Sequence, residues 1–241
     1  MDRMIYLSMS GAKATMQRQD ALANNLANAS TVGFRAELQS FRAVPVQGDG
    51  ATTRVYALET TSGYSSQMGP VTATGRKLDV AMQGGAWLAV QGLDGTEAYT
   101  RAGALNLSPD GTLVTAGGLA VLSDGGPISM PPNTTPSIAS DGTVSATEPN
   151  GMVTPVGRLK LVTPGALLQR GDDGLFRSAL GVLPADPGAR LQDGALEGSN
   201  VSPIETMVSM IAAARQFEAQ MKMLQAADQN EQAATRLLST S

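Results

Sequence analysis

The chain contains no cysteine and no histidine. Their absence rules out disulfides, thiolate nucleophiles and the usual zinc sites, and removes the commonest general base at neutral pH. Asp and Glu remain available for acid–base work, so an enzyme is disfavoured rather than excluded. Basic charge is also short: 17 Lys and Arg face 21 Asp and Glu, a net charge of -4, which argues against a nucleic-acid partner. Aromatics make up 4% and charged residues 16%, both low for a globular domain. No apolar run approaches the roughly 18 residues that span a membrane, so no membrane insertion is expected. The start, Met1-Asp2-Arg3-Met4-Ile5-Tyr6, lacks a basic segment followed by an apolar one, so no cleaved secretion signal is expected either. Freedom from cysteine suits an exported protein, which would then leave by another route.

What is present falls into blocks. Both ends are free of internal proline and poor in glycine, whereas the middle is rich in both. The expected fold is α+β: long N- and C-terminal coiled-coil helices flanking a central β-rich domain. The expected divisions are an N-terminal assembly helix over 1–34, an extended arm or loose hairpin over 35–75, the β-rich domain over 76–196 and a C-terminal assembly helix over 197–241.

In the first block Ile5, Met9, Ala12, Met16, Gln19, Ala23 and Leu26 alternate spacings of four and three, the a/d seam of a coiled coil. The helix is expected over about 3–28, with Asn28, Ser30 and Thr31 weakening it and Gly33 as terminator. In the last block Ser202-Pro203-Ile204-Glu205 predicts a start, with Ser202 as cap, Pro203 in the first turn and Glu205 closing a capping box. Its seam is expected at Met207, Met210, Ala214, Phe217, Met221 and Leu224. A stutter would then shift it to Ala227, Ala234 and Leu237, because strict continuation would bury Asp228 and Glu231. Seams with such small side chains bury little in one pair of helices, so the architecture points to polymerisation through the termini.

Between the helices Asp-Gly recurs at 94–95, 110–111, 124–125, 141–142, 173–174 and 193–194. It separates short apolar or alternating runs at 87–90, 105–107, 113–115, 119–122 and 158–162, a hairpin grammar. Residues 35–75 are polar, with a few apolar positions at Phe41, Val44, Val46, Val55 and Tyr56.

The stretch Ala23-Asn24-Asn25-Leu26-Ala27-Asn28-Ala29-Ser30-Thr31-Val32-Gly33-Phe34-Arg35 resembles the N-terminal signature of flagellar rod and hook proteins. Leu196-Glu197-Gly198-Ser199-Asn200-Val201, followed by Glu205, Met210-Ile211, Arg215, Phe217-Glu218, Lys222 and Asp228, resembles their C-terminal signature. Leu78 to Gly84, Ala98 to Gly103 and Gly111 to Thr115 resemble, in order, the opening of the family's β domain. Trp87 to Gln91 and the Met1-Asp2 start make the chain most similar to the F-type proximal-rod subunit, with the G-type distal-rod or hook-type subunit as alternative. Ala86-Trp87 where many relatives carry Gly-Phe, and Phe217 in place of the more usual Tyr, are departures. The resemblance implies a structural subunit of the periplasm-spanning basal-body rod, a drive shaft transmitting torque. It implies partnership with itself and with other proximal and distal rod subunits. It also implies export through the flagellar type III apparatus, with an uncleaved N-terminal signal, and termini that are disordered in the monomer and helical once assembled.

The expected subunit-interface residues are Ile5, Met9, Met16, Asn24, Asn25, Leu26, Asn28, Phe34, Asn200, Met207, Met210, Ile211, Arg215, Phe217, Glu218, Met221 and Leu224. Plainer readings stand beside them. Asn24, Asn25 and Asn28 suit helix fraying and capping as well as lateral bonds between subunits, and Glu218 with Lys222 has the spacing of an ordinary intrahelical pair. The Asp-Gly pairs fit no calcium loop and read as turns. Gly84-Gly85 lacks the residues of a phosphate loop, and Asp172-Asp173 reads as solvated. No catalytic constellation, cofactor or metal is expected. Two other classes remain: a secreted β-rich hydrolase using two carboxylates, which needs a pocket with raised carboxyl pKa values, and a binding module, which needs an exposed aromatic patch.

Overall fold

The computed structural model describes residues 2–45 and 55–239, with side chains at 8–40, 42, 44, 63–230, 232 and 233. It has mixed helix and strand content: an N-terminal helix, a β-rich middle and a C-terminal helix. The expected Val46 lies outside the described residues, as do the side chains of Ile5, Phe41, Val55, Tyr56, Glu231, Ala234 and Leu237. The chain divides into two units. One comprises residues 1–29, 37–64 and 201–241, and the other 30–36 and 65–200.

The first unit holds α1 (Asp2–Ala27), β1 (Glu37–Pro45), β2 (Val55–Tyr64) and α2 (Pro203–Ser239). α1 packs against α2 and against the antiparallel β1–β2 hairpin, whose register slips at Leu38/Gln39. At 26 and 37 residues the helices are about 39 and 56 Å long. α2 starts where its cap predicts, but the capping box is half made. The Ser202 hydroxyl accepts the Glu205 N–H at 3.5 Å, while the Ser202 carbonyl takes both the N–H and the hydroxyl of Thr206. α1 ends six residues before Gly33, with Asn28 donating its N–H to the carbonyls of Asn24 and Asn25. Gly33 therefore serves another purpose.

Both helices turn a face inward that differs in phase from the expected seams. On α1 the buried residues include Ser8, Ala12, Thr15, Ala21 and Asn25, while Met9 and Met16 are 55% and 57% exposed. Short side chains let neighbouring backbones approach: a β-carbon on Gly11 would lie 3.2 Å from the Gln220 carboxamide. On α2 Thr206 and Ala213 are buried, and Ser209, Met210, Ala214, Phe217, Gln220, Leu224 and Ala227 are half-buried. Ala227 is turned inward and Asp228 is exposed, as expected, while the side chains of Ala234 and Leu237 lie outside the described residues. Met210, Phe217 and Leu224 face inward as expected. Met207 and Met221 give way to Thr206 and Gln220, and Ala214 to the more buried Ala213.

The second unit has a core of Val80, Met82, Leu88, Val90, Leu105, Leu113, Val121, Val144, Leu161 and Leu191 with their neighbours. It opens with β3 (Val71–Ala73), β4 (Val80–Met82), β5 (Trp87–Gln91) and β6 (Glu97–Thr100). The largest sheet orders Leu161–Val162, β5, β6, Phe176–Arg177 and Gln169–Arg170. A second sheet joins Thr135–Ile138, Thr143–Thr147 and Val153–Arg158. β4 pairs with Leu191–Asp193, and β3 with Ala195–Glu197. Asp-Gly turns close three of these hairpins at Gly95, Gly142 and Gly174, each with positive φ. The aspartates fold back on their own turns, as where Asp94 accepts the N–H and hydroxyl of Thr96 and Asp141 those of Thr143.

Candidate assembly interface

The first unit exposes a row of large apolar side chains on α2. Ile204, Met207, Val208 and Ile211 sit at i, i+3, i+4 and i+7, so they share one face, and they are 51% to 76% exposed. Met221, 39% exposed, lies about a quarter of the way around the helix from that row, and Met9 and Met16 stand about two turns apart on α1. Arg215 and Glu218 are exposed beside them. Glu218 and Lys222, both exposed, do not close to the expected ion pair. Met210, Phe217 and Leu224 are half-buried within the unit, as are Leu26 and Asn28.

The asparagines divide into two kinds. Asn25 is buried, and its carboxamide grips the backbone of Glu37 at both ends: Nδ2 donates to the Glu37 carbonyl at 3.0 Å and Oδ1 accepts the Glu37 N–H at 2.8 Å. A lateral bond between subunits is not what this amide makes here; it fixes the start of β1 against α1. Asn24 and Asn28 lie nearer the surface. The Asn28 amide donates to the Asn24 backbone and side-chain oxygens, both at 2.9 Å. Asn24 also lines a shallow polar groove of about 330 Å³ with Gln17, Asp20, Ala21, Glu37 and Gln39.

Phe34 and Asn200 belong to the second unit and are committed within it. Phe34 is buried beneath the Arg170 guanidinium, 4.5 Å from its ring centre. The Asn200 Oδ1 accepts the Ala36 N–H at 2.7 Å, while Nδ2 donates to the carbonyls of Ser65 and Gln67. Close by is a cluster that sequence reasoning did not assemble. Glu197, 1% exposed, pairs through Oε1 with Arg35 at 2.9 Å and through Oε2 with Arg101 at 2.5 Å. The Gly69 N–H adds a third partner at 3.0 Å. Arg101 spends its other N–H groups on the carbonyls of Met82, Gly84 and Ala86. Arg101 and Glu197 thus have the bonds that a buried ion pair requires. All three charged residues stand in the signature stretches; what those stretches could not reveal is that residues 35, 101 and 197 meet.

Among the described residues neither a carboxyl with raised pKa nor an exposed aromatic patch is found. Among the described residues the carboxyls with shifted pKa values are those of Asp94, Asp141, Asp173 and Asp186, and all move down through hydrogen bonds and arginines in surface turns. Asp173 is paired with Arg177 at 2.7 Å, more than the merely solvated group expected of Asp172-Asp173. Trp87 is buried against Phe176, with ring centres 4.7 Å apart. Among the described residues no group of three potential metal ligands occurs, and no helix is long and apolar enough to cross a membrane.

Three family models match the chain: flagella basal body rod protein over residues 5–35, flagellar hook protein FlgE/F/G D1 domain over 81–146, and flagellar basal body rod FlgEFG protein C-terminal over 192–237. The chain is 48% identical to the flagellar basal-body rod protein FlgF of Salmonella typhimurium and 47% to that of Escherichia coli, each over the whole of both chains. It is 32% identical to the flagellar basal-body rod protein FlgG of Bacillus subtilis, over 94% of this chain and 96% of that one. The chain belongs to the flagellar basal-body rod protein family, and within it to the FlgF type.

Proposed function

We propose that the chain is built into the proximal rod by packing its two terminal helices against those of neighbouring copies and of other rod subunits, as coiled coils. It is a structural subunit of the flagellar basal body, and in this reading it carries torque along the periplasmic drive shaft. The observation that supports the packing mode most directly is the exposed row Ile204, Met207, Val208 and Ile211. Apolar side chains aligned on one helix face signal an interaction surface. Met9 and Met16 extend the same argument to α1, and Arg215, Glu218 and Met221 lie on surface available to a neighbour. Methionine adapts its shape to its surroundings, which suits one surface meeting several non-identical ones. Met210, Phe217 and Leu224 support the interface from within, by fixing how α2 lies on α1.

Export is part of the same proposal: the subunit leaves through the flagellum's own type III apparatus with its N-terminus uncleaved. The test is to count its peptides in detergent-extracted hook–basal bodies by quantitative mass spectrometry. Low copy, below the distal-rod subunit, with the intact N-terminal peptide present, is the expected result. High copy would move the chain to the distal rod or hook, and absence from intact basal bodies would overturn the proposal.

A further inference from the structure

The assembly reading leaves the densest polar feature of the molecule without a role. In the second unit residues 30–36 form a strap that follows directly on α1, and residues 197–200 form the turn that leads into α2. The two are bound to one another repeatedly. The Gly33 N–H donates to the Glu197 carbonyl, Arg35 pairs with the Glu197 carboxylate, the Asn200 N–H donates to the Phe34 carbonyl and the Ala36 N–H donates to the Asn200 side chain. A third segment joins them: Ser65 donates its N–H to the Ala36 carbonyl, and Gly69 donates its own to Glu197. Each segment satisfies polar groups on the other two.

We propose that Glu197 and Asn200 form a clasp that closes the strap 30–36, the segment 65–69 and the turn 197–200 in one cooperative step, so that none of the three is seated without the others. Three observations carry it. Glu197 is buried with a cation from each side, Arg35 of the strap and Arg101 of the β region, so removing either leaves a buried charge less well compensated. A single carboxamide, that of Asn200, holds groups 133 positions or more away in the chain. Close approach leaves no slack, since a β-carbon on Gly69 would fall 2.1 Å from the Gly198 carbonyl oxygen. Networks of this kind show coupling greater than their separate bonds, and double-mutant cycles expose it. The consequence is that residues 30–36 and 197–200, far apart in the chain, are set by one closure event.

The test is hydrogen exchange on the full chain carrying Arg35→Met, Asn200→Ala or both, with Arg35→Lys as the milder variant should Arg35→Met not fold. The clasp predicts that Arg35→Met lowers protection at least tenfold at its own segment, Ala36 included, and also at the Gly69 amide, which does not bond Arg35. Asn200→Ala lowers protection at Gly33 in the same way. The β5 amide of Ala89, bonded to the Lys160 carbonyl, keeps its protection in each variant. The double variant loses no more than the larger single loss. Losses confined to the direct partners of each altered residue, or adding in full in the double variant, would overturn the clasp. Failure of Ala89 along with the rest, in the Lys variant too, would mean global unfolding rather than a separable closure and would overturn it as well. None of these readouts depends on rod assembly.

Discussion

Gly33 lies against the backbone of Arg101 so closely that a β-carbon added to it would fall 2.2 Å from the Arg101 carbonyl carbon. Its φ of +70° places it in the left-handed region as well. Both constraints select glycine, one by space and the other by backbone conformation. Gly33→Ala is expected to destabilise the second unit by about 3 kcal/mol or more, combining φ strain with a clash against backbone that cannot swing away. The urea midpoint should fall at unchanged slope; an unchanged midpoint would show that the strap can lift without cost.

Asn25→Ala removes both hydrogen bonds to Glu37 and leaves its half-buried N–H and carbonyl facing the gap. The expected loss is about 2 kcal/mol in the first unit. Exchange at the Glu37 amide should accelerate, which a role confined to contacts between subunits would not produce.

Ile211 is 56% exposed in the single chain. Ile211→Asp should therefore change the stability of the isolated subunit by no more than about 0.5 kcal/mol, while blocking incorporation into the rod by placing a charge in an apolar contact. Normal motility with this variant would remove α2's exposed face from the assembly surface.

Acid should weaken the β turns. The Arg177 guanidinium, with help from the Leu175 N–H, holds the Asp173 carboxyl below its ordinary 3.8. A depressed folded pKa gives stabilisation that is complete above about 4. It is lost as pH falls through the lower folded value. The melting temperature should drop on going from pH 4 to 2, and less steeply in Asp173→Asn.

Alkali acts through Tyr99 in the opposite sense. Burial, reinforced by the neighbouring Glu97 and opposed by the Leu183 N–H bonded to its oxygen, pushes the phenol up to about 12. A raised folded pKa gives stabilisation that is complete below about 10 and is lost as pH rises through 12. Stability should decline across that window, and Tyr99→Phe should flatten the decline.

The sequence made the helices and turns legible because their signals are local. Ser202-Pro203 marks the start of α2 within a residue, and the Asp-Gly pairs mark turns because the aspartate bonds its own backbone and the glycine accepts positive φ. The helix phase was legible only in part. Ala12, Met210, Phe217 and Leu224 turn inward as expected, yet beside Ala12 the interior takes Ser8 and Thr15 where hydrophobicity favours Met9 and Met16. The Arg35–Glu197–Arg101 cluster joins residues far apart in sequence, and no spacing announces that they meet.

The first unit draws α1 and α2 from opposite ends of the chain, with roughly 175 residues between Ala27 and Pro203. At the usual pace of synthesis of about 5–20 residues per second, α1 waits roughly 10–35 s on the ribosome before its partner exists. Its inward face is the cheaper one to leave wet in that interval, being Ser, Ala, Thr and Asn instead of Leu and Ile. The small residues of the inward face then give a chaperone, or another nascent chain, little to grip, and the larger apolar groups at Met9 and Met16 lie on the outer face.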